Sequence, residues 1–217
     1  MFESSGLQMS QKRSSSSARW LAEHEADRYV NDARRQGFRS RAVYKLKEIQ
    51  ERDRILKSGQ IVVDLGAAPG GWCQYARPLL GARGQMFALD ILPMDPVPDV
   101  DFIHGDFRED SVLLQLESRV GDQMVDLVLS DMAPNISGID AADQAGSIYL
   151  CELALEFAKA HLKPRGTLLV KVFQGEGFED YVKTVREVFE TVAIRKPKAS
   201  RPRSREVYLL ARNFSAV

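Results

Sequence analysis

The stretch VVDLGAAPGGW over residues 62–72 limits the possible folds more than any other part of the chain. Ile61, Val62 and Val63 show no polar alternation, as a strand covered on both faces requires. Glycines at 66, 70 and 71 remove side chains where the chain must turn and a ligand must approach the backbone. A buried strand that breaks at glycines and then opens a helix is a cradle for a nucleotide-like ligand. It is not a phosphate loop, because a Walker A loop closes on Gly-Lys-Ser/Thr and the dinucleotide fingerprint needs Gly-x-Gly-x-x-Gly, and GAAPGG over 66–71 supplies neither. A nucleoside carrying a small charged group, such as S-adenosylmethionine, suits the cradle better. For this segment alone, a glycine turn in an ordinary α/β protein is the plainer alternative.

The rest of the chain agrees with one α/β domain. Its 217 residues are enough to bury a sizeable core within the size of a single domain. No segment approaches the ~18 consecutive apolar residues of a membrane span, and the start, with Lys12, Arg13 and serines at 14–17, lacks the apolar stretch of a signal peptide, so a cytoplasmic protein is expected. Cys73 and Cys151 are far apart, and His24, His104 and His161 are isolated, so neither a disulfide framework nor a metal site is expected. Strand signals recur at the spacing of βαβ units, over 61–63, 85–90, 101–104, 125–131 and 167–173, with short strands at 191–194 and 207–211 reading as a terminal antiparallel pair joined by a basic loop. Helical patterns fall over 72–80, 112–120, 145–162 and 179–189. In such a sheet the ligand belongs at the carboxyl ends of the strands.

Several polar residues sit where that rule puts a site. Asp90 closes the second strand, about twenty residues past the glycine loop, where a carboxylate accepts from both ribose hydroxyls of a nucleoside. Asp106, in HGDF over 104–107, follows the third strand and could accept from an adenine amino group, although aspartate after a strand is also a common turn residue or cap. Gly70 and Trp72 are expected to complete the cofactor pocket. Asp131 ends the apolar run VDLVLS of 125–130 and should face the pocket mouth. Lys171 interrupts LLVKVF over 168–173, whose neighbours ask for apolar side chains. A buried ammonium is costly, so Lys171 must reach a carboxylate, snorkel to solvent at the strand end, or give up its proton.

Net charge is zero, yet basic residues gather in two tracts, RRQGFRSR over 34–41, followed by Lys45 and Lys47, and RKPKASRPRSR over 195–205, which holds no acid. Such tracts look like a surface that tracks phosphates, with solvated loops as the alternative.

Five segments, SRAVYKL at 40–46, the run 62–72, SDMAPN at 130–135, VKVFQGEG at 170–177 and RSREVY at 203–208, together resemble the FtsJ-type RNA ribose methyltransferases, in their bacterial RlmE branch. The resemblance runs from about residue 13 to residue 212, with Cys73 beside the glycine loop and a few extra residues before Gln11 as small departures. It implies a Rossmann-like S-adenosylmethionine-dependent methyltransferase fold, a mostly parallel sheet with a C-terminal antiparallel strand and helices on both faces. It also implies transfer of a methyl group to the ribose 2′-hydroxyl of a uridine in the A-loop of large-subunit ribosomal RNA. The family's Lys-Asp-Lys-Glu tetrad falls on Lys45, Asp131, Lys171 and Glu206. Residues 1–18 are then a flexible N-terminal segment, 19–57 a basic, helical, RNA-binding part and 58–217 the catalytic core. The partner is ribosomal RNA in the large subunit or its precursor, without a membrane, and the protein is expected to be a monomer.

The chemistry can be argued from the residues. A ribose hydroxyl is a poor nucleophile near neutral pH and a sulfonium methyl a strong electrophile, so a site must deprotonate one and align it with the other. Lys171 is the candidate base; burial, the sulfonium and Lys45 favour its neutral form, whereas Asp131 and Glu206 oppose that and are expected to orient the lysines, the hydroxyl or the cofactor's amino-acid group. No metal is needed. A methyltransferase of base amines would leave Lys171 without a purpose, and one acting on a pyrimidine carbon would need a nucleophilic cysteine, whereas Cys73 reads as a packing residue. A ribosome-assembly factor that binds RNA and cofactor without turnover stays open.

Overall fold

A computed structural model of the protein describes residues 27–122, 124–135 and 137–215, so the segment 1–18 lies outside the described residues. Two short helices come first. Helix α1, Arg28–Arg35, is opened by Asp27, whose side chain accepts from Tyr29 N, and closes on Arg34 and Arg35, which favour the negative end of the helix dipole. Helix α2, Val43–Asp53, ends where Arg54 turns left-handed. The core alternates strands and helices: β1 Ile61–Leu65, α3 Gly71–Leu80, β2 Gln85–Asp90, β3 Asp101–His104, α4 Asp110–Val120, β4 Val125–Ser130, α5 Asp140–His161, β5 Leu162–Phe173, α6 Phe178–Val188, β6 Phe189–Arg195 and β7 Glu206–Phe214.

The seven strands form one sheet in the order β3-β2-β1-β4-β5-β7-β6. Neighbours from β3 to β5 are parallel, and β7 runs antiparallel to both β5 and β6. The expected terminal antiparallel pair is present, with β7 inserted between β5 and β6 so that β6 forms the edge. One face of the sheet is covered by α4, α5 and α6 through Leu116, Leu155 and Val182, the other by α2 and α3 through Leu46, Ile49, Trp72 and Ala76. Each fully buried Leu or Val of these faces contributes about 1.5–3 kcal/mol, which is why the central strands are mostly apolar and the charges within them, Asp64 and Lys171, stand out.

Most expected elements fall within a residue or two of the observed ones. The clearest differences have local causes. Strand β5 begins at Leu162 rather than Thr167: Leu162 pairs with Val125, Thr167 pairs with Leu127, and the Pro and Gly of KPRG bulge out between them, with Arg165 at φ 67°. Lys163 in that bulge pairs with Asp126. Helix α5 begins five residues before position 145, because Asp140 and Asp143 in its first turn favour the positive end of the dipole even though they carry no apolar periodicity.

Candidate active site

A cavity of 510 Å³ opens at the carboxyl ends of the parallel strands, where the order β2-β1-β4 reverses direction from the first strand. Gly66, Ala68, Asp90, Asp106 and Asp131 all line it, each from the turn that follows a strand or from the strand's last residue. Gly66, at φ 81°, is required there, since a Cβ would lie 2.8 Å from the backbone nitrogen of Met132. Asp90 is buried, and its two oxygens accept from Ala68 N and Leu92 N, both at 2.8 Å. A carboxylate has about four acceptor sites, so two remain for hydroxyls of a ligand. Asp106 sits at the rim with both oxygens on the Arg108 guanidinium, whose hydrogen bonds hold its carboxyl below the usual range. A ligand amino group must share Asp106 with Arg108.

The structure places Gly70 and Trp72 behind the cavity rather than in its wall. Trp72 faces α2 from the first turn of α3: its ring is buried, its Nε1 donates to Ala42 O at 2.8 Å, and it packs 5.8 Å from the Tyr208 ring. Gly70 faces Arg39.

Lys45, Asp131, Lys171 and Glu206 come together from α2, the turn after β4, β5 and the first residue of β7. The β4–β5 register sets Ser130 beside Val170, so the next residues, Asp131 and Lys171, meet. Lys171 Nζ lies 3.0 Å from Asp131 Oδ1 and also donates to the Asp131 carbonyl, and its side chain is buried. Lys45 Nζ lies 2.7 Å from Glu206 Oε1. Between these pairs stands Tyr208, directly opposite Lys171 in the antiparallel register; its hydroxyl donates to Asp131 Oδ1 at 2.7 Å and its ring lies 5.7 Å from Lys45 Nζ. The lysine of the site thus reaches a carboxylate rather than solvent.

Electrostatics follow from this packing. Burial would raise the carboxyl of Asp131, but Lys171, Lys45 and the Tyr208 hydroxyl outweigh it and hold Asp131 below the usual carboxylate range. Glu206 is likewise buried, and Lys45 outweighs that burial and keeps it low. Burial, then Asp131, pushes the Tyr208 phenol well up, so it remains a donor. Asp64, in the middle of β1, has no cation beside it among the described residues: burial pushes it up to about 7, against a hydrogen bond from the Cys73 thiol at 3.3 Å. Its Oδ1 has no partner among the described residues.

The sequence reading did not single out Tyr208, Asp64 or Arg39. Asp64 carried the same signal as Lys171, a charge inside an apolar strand. Tyr208 was visible only as part of a motif.

The basic tracts divide. Arg39, Arg41 and Arg195 are half-buried and Lys196, though exposed, is tied to backbone: Arg41 bonds Asp27 and Ala199 O, Arg195 bonds Asp53, and Lys196 donates to the carbonyls of Ser204 and Glu206. Arg34, Lys198, Arg203 and Arg205 remain exposed.

A mostly parallel sheet with one antiparallel strand next to β5, and a ligand cavity at the carboxyl ends of β1, β2 and β4, defines a Rossmann-like methyltransferase fold. The chain belongs to the FtsJ-like methyltransferase family, whose model matches residues 38–214. It is 64% identical over 199 residues to the ribosomal RNA large subunit methyltransferase E of Azoarcus sp. (strain BH72), covering 92% of this chain and 97% of that relative. The protein of the same name from Pseudomonas aeruginosa (strain PAO1) is 59% identical over 202 residues, covering 93% of this chain and 98% of its own. A crystal structure from Plasmodium falciparum designated a ribosomal RNA methyltransferase superposes with a TM-score of 0.72 at 31% identity, covering 82% of this chain and 98% of that one. No helix among the described residues is long and apolar enough to cross a membrane.

Proposed function

We propose that the protein transfers the methyl group of S-adenosylmethionine to the 2′-hydroxyl of a uridine in the A-loop of large-subunit ribosomal RNA, acting as a cytoplasmic monomer on the subunit or its precursor. The names of the relatives support ribosomal RNA as the substrate. The observation that carries the ribose assignment is the buried Lys171 held on Asp131 at the cavity mouth, since a hydroxyl needs a base and a base amine does not.

The cavity fits the cofactor: Asp90 has acceptor capacity for two ribose hydroxyls, Asp106 lies at the rim for an exocyclic amine, and Ile91 and Leu92 supply an apolar wall. When bound, S-adenosylmethionine supplies a sulfonium methyl that bonds to the ribose oxygen as its bond to sulfur breaks. Lys171 takes the hydroxyl proton at Nζ and passes it to solvent. To do so it must arrive as an amine, and Asp131, itself fixed by Tyr208, aims Nζ at the substrate. The Lys45–Glu206 pair, next to the Tyr208 ring whose hydroxyl holds Asp131, orients the ribose.

The test is transfer of labelled methyl groups to large subunits from cells lacking the protein, followed by alkaline hydrolysis. Alkali cleaves RNA through the 2′-hydroxyl, so label on the ribose emerges in an alkali-resistant dinucleotide that contains uridine. Label in a mononucleotide excludes the ribose reading, and an absence of label leaves a binding protein without turnover.

A further inference from the structure

Arg39 belongs to the first basic tract, where the sequence suggests a phosphate contact, but its guanidinium is occupied by backbone. Nη1 donates to Asp95 O at 2.5 Å and Pro69 O at 3.3 Å, and Nη2 donates to Pro96 O at 2.7 Å. These three carbonyls lie in two separate loops, the glycine turn after β1 and the loop after β2. The same two loops form one wall of the cavity, through Ala68 on one side and Ile91 and Leu92 on the other.

The two loops are therefore tied twice. Inside the cavity, Asp90 joins them by accepting from Ala68 N and Leu92 N. Outside, Arg39 joins them through their carbonyls. A nucleoside that binds Asp90 shares the inner tie, whereas the outer tie is out of its reach.

The backbone is shaped around this guanidinium. Gly70 has φ 99°, and a Cβ there would lie 2.9 Å from Arg39 Nη1 and 2.8 Å from Met94 Sδ. The glycine that the sequence marks for cofactor contact is held there by its left-handed φ, and a side chain at this position would also crowd the Arg39 guanidinium. The main chain of the segment is clipped to α3 as well: Arg39 N donates to Gln74 Oε1 at 3.1 Å, and Gln74 Nε2 donates to Gly37 O at 2.9 Å. Two residues on, Arg41 reaches Ala199 O in the second basic tract. Residues 37–41, themselves the end of the first basic tract, therefore touch both the loops of the cavity wall and the second tract.

We propose that Arg39 is a positioning residue that sets the separation of the two cofactor loops and so couples RNA docking on the basic tracts to cofactor affinity; the proposal rests on the function given above. A planar fork reaches three carbonyls across two loops, and an ammonium on a flexible stem does not reproduce that span. Coupling of this kind is reciprocal: whatever factor RNA adds to cofactor affinity, cofactor adds to RNA affinity.

The experiment is calorimetric titration of S-adenosylhomocysteine into wild type, Arg39→Ala and Arg39→Lys, with and without a ribosomal RNA fragment, together with RNA affinity over a range of salt. Losing charge-assisted hydrogen bonds to two loops should raise the Kd for S-adenosylhomocysteine about tenfold or more in Arg39→Ala. The salt slope of RNA binding should stay at the wild-type value, because a guanidinium committed to carbonyls releases no counterions. The rate at saturating cofactor should remain within about threefold of wild type. Arg39→Lys should also weaken S-adenosylhomocysteine, and it decides the matter if the alanine variant does not fold. An unchanged Kd in the variants overturns the proposal, and a shallower salt slope with unchanged Kd makes Arg39 a phosphate contact. Wild type that binds no S-adenosylhomocysteine would count against the proposed function instead.

Discussion

The same helix and the same strand, α2 and β7, are joined by ion pairs at both ends, and the two clusters use different cations. At the end of α2, Asp53 receives Arg195 Nε at 2.7 Å and Nη2 at 2.8 Å, and Arg212 of β7 lies alongside at 3.8 Å. At its start, Lys45 pairs with Glu206 of β7, next to the Lys171–Asp131 pair. Arginine offers a rigid fork and does not release its proton at accessible pH, so the Asp53 cluster can only hold elements together. Lysine is a point charge that can lose a proton, so the other cluster holds the same elements together and is also able to serve as the acid–base site of the proposed function. The choice of cation separates a brace from a reaction centre.

The largest effect should come from exchanging the cations. Lys171→Arg keeps the charge and donors but cannot accept a proton, so it should lose about 10²–10⁴-fold in single-turnover methyl transfer, as much as Lys171→Ala. Arg195→Lys in the brace should leave that rate within about threefold. If Lys171→Arg retains most activity, Lys171 only orients the hydroxyl and the distinction between the clusters fails.

Removing the brace should cost stability instead of chemistry. Asp53→Ala leaves two arginines without their carboxylate and should lower unfolding stability by roughly 1–3 kcal/mol, between the value of an exposed pair and that of a buried one. The hydrogen bond from Arg195, then its charge, holds Asp53 below its ordinary 3.8. Its contribution is therefore full above about pH 4 and is lost as pH falls through the lowered folded value. Denaturant midpoints measured from pH 2 to 7 should show a weaker acid limb in Asp53→Ala than in wild type.

Arginines in neither cluster should behave differently again. Arg201→Ala, Arg203→Ala and Arg205→Ala combined should make the salt slope of RNA binding shallower by roughly two to three, with S-adenosylhomocysteine affinity unchanged. An unchanged slope would make this tract a solvated loop.

An effect of opposite sign in pH is expected at Asp64, a buried carboxylate with no cation beside it among the described residues. Its folded value, pushed up to about 7 from 3.8, means that the folded state holds a proton between those values that the unfolded state has released. Stability should therefore decline as pH rises from about 4 to about 7, and Asp64→Asn should flatten melting temperature over that range. The same decline in the variant would show that Asp64 ionises in the folded protein.

What the sequence disclosed depended on whether the signal was local. Strands 85–90 and 101–104 were legible to the residue, because the apolar run of the first ends at Asp90 and the short apolar pair of the second, at the sheet edge, is bounded by Asp101 and His104. The start of β5 was not, because Pro164 and Gly166 read as a turn while the structure accommodates them in a bulge. Asp131 and Lys171 stood out as charges at the end of, and within, apolar strands. Lys45 and Glu206 had no such signal and were identified only through the family motifs, since nothing local reveals that α2 and β7 meet. Arg39 was read as one more cation in a basic tract, because the carbonyls that bind it are 30 to 57 positions away.

The insertion of β7 between β5 and β6 has a consequence for the order in which the protein acquires its activity during synthesis. The cavity wall comes from residues 66–150, all translated before β5. Glu206 and Tyr208 arrive with the last strand, after β6 has already been made, and until then β5 and β6 each present an unpaired edge to the other across a gap one strand wide. A nascent chain can therefore shape a place for the cofactor before it can position the base that uses it. The four polar residues of the site meet only when the final strand is in place, so the site is not complete until its own chain is nearly finished.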